Sequence, residues 1–449
     1  MFRSRYLLIS VLAVFWMSPA LGQGLSDLEQ LGKSIFFDNA LSINANQSCA
    51  ACHDPAVGWT GPHSGINAFG GVYEGSIPGR FGDRKPPSSA YATQSPVFAY
   101  HRQGGGLFLG GNFWNGRATG EKLGNPAADQ AQGPFLNPKE QALPDNACVV
   151  YFVCTGSYGA SFEDFWGADS CDILWPADVL VQCATEGGYV DLSAEDAAPV
   201  EQAYDQIALS IAAYEASPEV NAFTSKYDAF LAGAADLTDQ ERMGQRLFNG
   251  KAKCFRCHTS KGGKDGPPLF TDYSFDNLGV PRNPDNPVYD AEGDDWLDEG
   301  LGGFLATRPE YAGMAEDHKG AQKVPTLRNV DLRPDPGFIK AYTHNGYFKS
   351  LKGVVHFYNT RDVKPTCPDP FTREADAIAQ GCWPEPEFEE SVNDDELGDL
   401  KLSDEQEDAI VAFLKTLSDG YFEGAAPSGQ HGPMPRQGHN GAMRRGPGP

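Results

Sequence analysis

The stretch "SCAACHDPAVGW" (residues 48–59) places two cysteines and a histidine in the order Cys-x-x-Cys-His, at Cys49, Cys52 and His53. The same order recurs in "CFRCH" (254–258), at Cys254, Cys257 and His258. This spacing is typical of covalent haem attachment, in which both thiols bond to the porphyrin and the adjacent imidazole binds the iron. The sequence therefore predicts two c-type haems, with His53 and His258 as iron ligands.

Each motif ends a related unit. "LGKSIFFDNALSINANQSCAACH" (31–53) and "MGQRLFNGKAKCFRCH" (243–258) share apolar residues at helical spacing, a terminal Phe and a short connection to the motif. Thr238 and Glu241 predict a capping box that opens the second unit. The two units together indicate an internally repeated fold.

Two further helices are predicted by apolar residues at three- and four-residue spacing. One covers residues 198–217 and ends at Ser217, which precedes a proline. The other covers 403–420, with a Ser-x-x-Gln start and Gly420 as its end. Strand signals are few, and the connecting segments are long and rich in Gly and Pro. We expect a mainly α, loop-rich fold of two cytochrome-c-like haem domains.

The predicted domain limits follow from composition and from the repeat. Residues 1–22 have two arginines, a short apolar run and a small-x-small end, which predict a secretory signal peptide too short to span a membrane. We therefore expect a soluble protein that is periplasmic or otherwise exported, without membrane insertion. The N-terminal haem domain is predicted at 23–220 with a Cys-containing insertion at 145–195, the C-terminal haem domain at 221–424, and a disordered Gly/Pro-rich tail at 425–449.

Acidic residues dominate the charge. The formal net charge is −25, and loss of Arg3 and Arg5 with the signal peptide leaves 33 basic against 60 acidic residues, a net charge of −27. This balance disfavours nucleic acid and favours cationic partners. The acids concentrate at 290–300 and 385–399. A solvated surface without a partner explains these runs equally well.

Six cysteines lie outside the haem motifs: Cys148, Cys154, Cys171, Cys183, Cys367 and Cys382. An even number in an exported chain predicts three disulfides. Spacing alone leaves fifteen pairings open, with Cys367–Cys382 as the preferred single pair. The other four lie in a stretch that we expect to be loop-like.

Four further motifs carry a resemblance to a known family. They are "NFWNGRA" (112–118), "DQAQGPFLNPKEQ" (129–141), "KVPTLRNV" (323–330) and "YTHNGYFKSLKGVVHFYN" (342–359). In this order they resemble the bacterial di-haem cytochrome c peroxidase and MauG superfamily, over most of residues 26–420 apart from 145–195 and 360–400. The resemblance implies a first haem that reacts with hydrogen peroxide and a second that handles electrons.

The resemblance also implies roles for single residues. Trp114 would lie between the haems as an electron relay. Glu140 would be the acid of the peroxide pocket, since a carboxylate there can take a proton from peroxide and return it to the leaving oxygen. Gln130 and Pro134 would line the same pocket.

Two departures from the plain peroxidases place the chain nearer the MauG-like branch. Ile77 stands where those enzymes hold a displaceable histidine, and His63 and His101 lie well to either side. The first haem is then open to peroxide. Tyr358, fourteen residues after His344, stands where they hold methionine, and a phenolate favours more oxidised iron than a thioether does. His356 is a rival ligand.

These features lead to a functional hypothesis with alternatives. A di-haem c enzyme would use hydrogen peroxide to form a high-valent two-haem state that oxidises an aromatic residue, Trp or Tyr, of a partner protein. The alternative is a cytochrome c peroxidase that reduces peroxide to water with electrons from a small cytochrome or cupredoxin. A non-enzymatic electron carrier would leave Glu140 without a purpose. The resemblance further implies a calcium ion between the domains, where the family's asparagine position is occupied by Lys85.

Overall fold

The computed structural model describes residues 24–102, 106–262 and 266–421, so the predicted signal peptide and the predicted tail lie outside the described residues. Within these ranges the α-helices are α1 (Asp27–Phe36), α2 (Ser64–Asn67), α3 (Pro126–Leu136), α4 (Asn146–Thr155), α5 (Gly159–Trp166), α6 (Val179–Cys183), α7 (Ala194–Glu215), α8 (Lys226–Leu231), α9 (Asp239–Phe248), α10 (Val288–Glu292), α11 (Gly300–Ala306), α12 (Leu351–Thr360), α13 (Glu374–Gln380) and α14 (Asp404–Lys415). None of these helices is both long and apolar enough to cross a membrane.

Strands contribute little. The antiparallel pair β1 (Ala99–His101) and β2 (Leu107–Leu109) and the antiparallel pair β3 (Phe275–Asp276) and β4 (Gln322–Lys323) are the sheets of the described residues. Single 3₁₀ turns cover Cys49–Ala51 and Cys254–Arg256, the starts of the two Cys-x-x-Cys-His motifs. The expected mainly α, loop-rich fold is confirmed.

The predicted repeat is visible as two equivalent helix pairs. Helix α1 packs against α7, and α9 packs against α14. A Cβ atom added at Gly32 of α1 would lie 1.9 Å from the backbone oxygen of Ser210, and one added at Gly244 of α9 would lie 1.8 Å from that of Ala409. Each pair can therefore approach so closely only because glycine follows the first apolar residue of the repeat.

Buried side chains form two large clusters and a small one. The first large cluster draws on residues between 31 and 220, the second on residues between 227 and 417. Phe98 and Phe108 join Leu301 and Leu305 in the small cluster, which packs residues of both halves together. The division of the large clusters supports domain limits near residue 220, which we retain as a proposal.

The predicted helix limits agree with the structure where a capping box marks the start of the helix. Thr238 and Ser403 form capping boxes with Glu241 and Gln406, as expected. Helix α7 begins four residues before the predicted start, because the Ser193 side chain accepts a hydrogen bond from the Asp196 backbone N–H and caps it there. Helix α14 ends at Lys415 rather than near Gly420.

The Cys-containing insertion is helical rather than loop-like. Asp145 caps α4, and Val149, Val150 and Val153 of that helix are fully buried. Disulfide Cys148–Cys183 joins α4 to α6, and Cys154–Cys171 joins α4 to the turn that follows α5. Burial of α4 in the first large cluster explains the difference, since the expectation of a loop considered only the cysteines. The preferred pair Cys367–Cys382 is confirmed.

Candidate active site

The two motif histidines are held in the same way. His53 Nδ1 lies 3.2 Å from the carbonyl oxygen of Trp59, and His258 Nδ1 lies 2.9 Å from that of Phe270. Because a carbonyl can only accept, Nδ1 carries the proton and Nε2 keeps its lone pair. Burial lowers the pKa of His53 to about 4 and also lowers the pKa of His258. Both imidazoles are therefore neutral near pH 7, the form that binds iron.

A cavity of about 230 Å³ lies beside the second motif. Cys254, Cys257 and His258 line it, and so does one face of α12, at Leu351, Val354, Val355 and Tyr358. These helix positions follow the spacing i, i+3, i+4 and i+7, which puts them on one side of the helix. The structure thus brings Tyr358, the predicted iron ligand, into the same cavity as His258.

The rival ligand His356 lies on another face of α12. Its Nδ1 is 3.0 Å from Oε1 of Glu407, and its Nε2 is 2.7 Å from Nζ of Lys364. Both ring nitrogens are thus engaged away from the cavity. Burial raises the pKa of Tyr358 above its usual value, and the nearby Cys254 and Cys257 add to this shift. A cation such as ferric iron is therefore needed for this phenol to lose its proton near pH 7.

A smaller cavity, of about 60 Å³, lies beside the first motif. His53, Gln130 and Trp114 line it. Of the histidines in the described residues, His53 alone does so. His63 instead stacks on Tyr73, with ring centroids 6.0 Å apart. Ile77, which is predicted to stand at the position of the displaceable histidine, is not among the residues that line this cavity.

Trp114 lines both cavities and is 8% exposed. Its indole Nε1–H donates a hydrogen bond of 2.7 Å to the carbonyl oxygen of Lys85. The His344 ring packs edge to face against the indole, with centroids 6.4 Å apart. The predicted relay residue therefore lies between the two predicted haem positions.

Trp114 and His344 occupy equivalent loops of the internal repeat. Each precedes Asn-Gly, and each follows a residue with positive φ, +61° at Phe113 and +68° at Thr343. The loops are braced across the halves: the Trp114 carbonyl accepts from the Lys323 N–H at 2.7 Å, and the His344 carbonyl accepts from the Lys85 N–H at 2.7 Å. This cross-brace fixes the indole between the cavities.

Glu140 lies just beyond α3, the helix that contains Gln130 and Pro134. Burial raises the pKa of Glu140 to about 7, although the Arg117 guanidinium opposes the shift. Burial raises the pKa of the Cys52 thiol, and the charge of Glu140 adds to this shift. Glu140 and Pro134 are not among the residues that line the smaller cavity. A carboxyl group with a pKa near 7 can both accept and donate a proton.

Several buried acids near the cavities were missed by the sequence analysis. Glu215, 4% exposed, lines the smaller cavity, and burial raises its pKa to about 8. Asp298, from the acidic run 290–300, is bonded to Arg84 at 2.6 and 2.5 Å. Glu387, from the run 385–399, lies 3.2 Å from His344 Nε2. Each acidic run thus contains one acid that lies in the interior. The apolar residues interspersed among the acids were the sequence signal that could have indicated partial burial of these runs.

The donor sets fit two haems, because each motif combines two thiols with a neutral imidazole whose Nε2 is free. This arrangement defines the class of di-haem cytochrome-c-type proteins.

A family model for "Di-haem cytochrome c peroxidase" matches residues 26–236. The methylamine utilization protein MauG of Paracoccus denitrificans is 35% identical over 399 residues, 88% of this chain and 89% of that protein. The chain belongs to the di-haem cytochrome c peroxidase and MauG family. It is a haem-dependent enzyme with two haems.

More distant relatives include both branches of the family. The cytochrome-c peroxidase IdrP2 of Denitromonas iodatirespirans is 25% identical over 419 residues, 91% of this chain and 86% of that protein. The crystal structure of the diheme peroxidase BthA from Burkholderia thailandensis has a TM-score of 0.69 and 27% identity, covering 91% of this chain and 90% of that one. This chain therefore shares its fold with a diheme peroxidase of known structure, and its sequence relatives include both peroxidases and MauG.

Proposed function

We propose that this chain uses hydrogen peroxide to oxidise an aromatic residue, Trp or Tyr, of a partner protein. The observation that carries the proposal is that Tyr358 faces the cavity of His258, while Trp114 borders this cavity and the one beside His53. We further propose that the four motif thiols attach the haems covalently and that the protein works in the periplasm after export.

The bound haems supply iron that reacts with peroxide and stores oxidising equivalents. Glu140 is proposed to accept a proton from peroxide and to return it to the leaving oxygen. A pKa of about 7 suits both steps near neutral pH. The nearby Arg117 guanidinium, stacked at 3.7 Å over the Phe113 ring, opposes the upward shift of this pKa and favours the ionised carboxylate that accepts the first proton.

Trp114 is proposed to pass electrons between the haem positions. Its Nε1–H is bonded to the Lys85 carbonyl, which cannot take up a proton, so the indole would give up an electron and keep its hydrogen. Tyr358 is proposed to bind the second iron as phenolate. An anionic oxygen ligand disfavours reduction of that iron by a high-potential cytochrome and favours electron withdrawal from the partner.

The second candidate is a cytochrome c peroxidase. It is favoured by the peroxidase relatives and by the fold shared with BthA. In either reaction one peroxide accepts two electrons and two protons as it becomes two waters. The candidates differ in the source of the electrons: aromatic side chains of a partner protein, or two molecules of a small cytochrome or cupredoxin. We propose that the identity of residue 358 distinguishes the two functions, because a tyrosine ligand disfavours reduction of the iron by such donors.

The holoenzyme can be tested against both kinds of electron source. The product of the adjacent gene is incubated with the enzyme and peroxide, and its peptides are analysed by mass spectrometry for changes confined to Trp or Tyr. Reduced cytochrome c and reduced cupredoxin are offered in parallel, and their oxidation is followed by absorbance. Rapid oxidation of these donors without any modified aromatic residue would favour the peroxidase.

A further inference from the structure

Lys340 is a buried cation between the two halves of the chain. It is 4% exposed, and its Nζ donates to the carbonyl oxygens of Val57 at 2.8 Å, Leu332 at 2.9 Å and Asn329 at 3.1 Å. Val57 belongs to the first half, and the other two belong to the second. Burial lowers the pKa of Lys340. Three acceptors nevertheless favour the ammonium form, because a neutral amine has only two protons to donate.

A second buried lysine lies nearby. Lys85 is 9% exposed, and its Nζ donates to Thr60 Oγ1 and to the Pro86 carbonyl oxygen, both at 2.9 Å. Repulsion from Lys85 contributes to the lowered pKa of Lys340, so the two ammonium groups are electrostatically coupled. Lys85 also stands at the position that corresponds to the calcium-binding asparagine of the family.

The local backbone is built around the Lys340 ammonium group. Gly58 has φ of +77°, and a Cβ atom added there would lie 2.8 Å from the Asn329 carbonyl oxygen and 3.4 Å from Nζ of Lys340. A side chain at this position would therefore disturb the carbonyl cradle. The Asp331 carboxylate, which favours the charged form of Lys340, is itself bonded to Arg333.

These residues do not fit a calcium ion. Calcium takes six to eight oxygen ligands, usually with carboxylates among them. Here three converging carbonyl oxygens are already engaged by an ammonium group. A divalent cation beside Lys85 and Lys340 would meet two positive charges in a buried region, where repulsion is strong. The region expected to hold the interdomain calcium ion therefore contains two cationic side chains instead of the carboxylate ligands that calcium usually takes.

We propose that the Lys85 and Lys340 ammonium groups take the place of the interdomain calcium ion, so that the cation joining the two halves is supplied by the chain itself. The holoenzyme then binds no calcium at this interface. Its stability and the environment of its haems do not respond to chelators. This inference is independent of which electron donor the enzyme uses.

The first test measures metal content. Holoenzyme produced in calcium-containing medium is desalted, and calcium and iron are determined together by elemental analysis. We expect two iron atoms per chain and calcium far below one per chain. EGTA and added calcium chloride should leave the unfolding temperature and the haem absorption spectrum unchanged. One calcium per chain that survives desalting, or a loss of stability in EGTA, would overturn the proposal.

The second test removes the proposed cation. Lys340→Met keeps the approximate length of the side chain and leaves the buried carbonyls of Val57 and Leu332 without a donor, while the Asn329 carbonyl keeps the Leu332 N–H at 3.0 Å. The variant should therefore have an unfolding temperature well below that of wild type. Lys401→Met, at an exposed lysine, is the matched control and should be neutral. An unchanged unfolding temperature in Lys340→Met would contradict the inference. If that variant does not fold, the metal analysis of the wild-type holoenzyme still decides.

Discussion

The proposed proton transfer by Glu140 can be tested by Glu140→Gln. Glutamine keeps the shape of the side chain but cannot accept the proton of peroxide. We expect the bimolecular rate with peroxide to fall by about a hundredfold to ten-thousandfold, the range typical of general acid–base groups. Both haem spectra should stay normal, because Glu140 does not bind iron in this proposal. The rate is measured by stopped-flow absorbance of the holoenzyme.

The pH dependence gives the sharper test. The group must be ionised to accept a proton, and with a pKa of about 7 the carboxylate form rises from about a tenth at pH 6 to about nine tenths at pH 8. The wild-type rate should therefore rise about tenfold over this interval. Glu140→Gln should lose the rise, and the exposed-site control Glu405→Gln should keep it. An unaltered midpoint near pH 7 in Glu140→Gln would assign the proton transfer to another group.

Three further outcomes are expected. The mass of the mature protein should correspond to a chain beginning near Gln23 with two covalent haems, and any other number of haems would contradict the reading of the motifs. Trp114→Phe should preserve the reaction of the first haem with peroxide and abolish the spectral changes of the second, because phenylalanine is harder to oxidise than indole; Trp296→Phe is the control. Tyr358→Met should raise the reduction potential of the second haem and abolish oxidation of the partner protein. A low-spin signal that survives Tyr358→Phe but is lost in His356→Asn would make histidine the ligand.

Local patterns could be predicted because they depend on neighbouring residues. The capping boxes at Thr238 and Ser403 act over three residues, and Cys367–Cys382 closes a short loop. The buried insertion helices were missed for the opposite reason. Helix α4 has apolar residues on all sides, so periodicity does not mark it, and only its packing in the first core explains its conformation.

The motifs alone predicted two haems, since two thiols and an imidazole within five residues suffice to attach and bind one haem, and the di-haem family to which the chain belongs has the same number. The sequence also predicted the roles of Trp114 and Tyr358, through motifs that resemble those of the family. Only the tertiary structure decided that Trp114 borders both cavities, that the His344 ring packs against the indole, and that Glu387 and Asp298 are interior acids. It alone brought Lys340 to Val57, 283 residues away along the chain. The physical reason is that these contacts join segments far apart in the chain, and the local sequence of one segment does not specify which other segment packs against it.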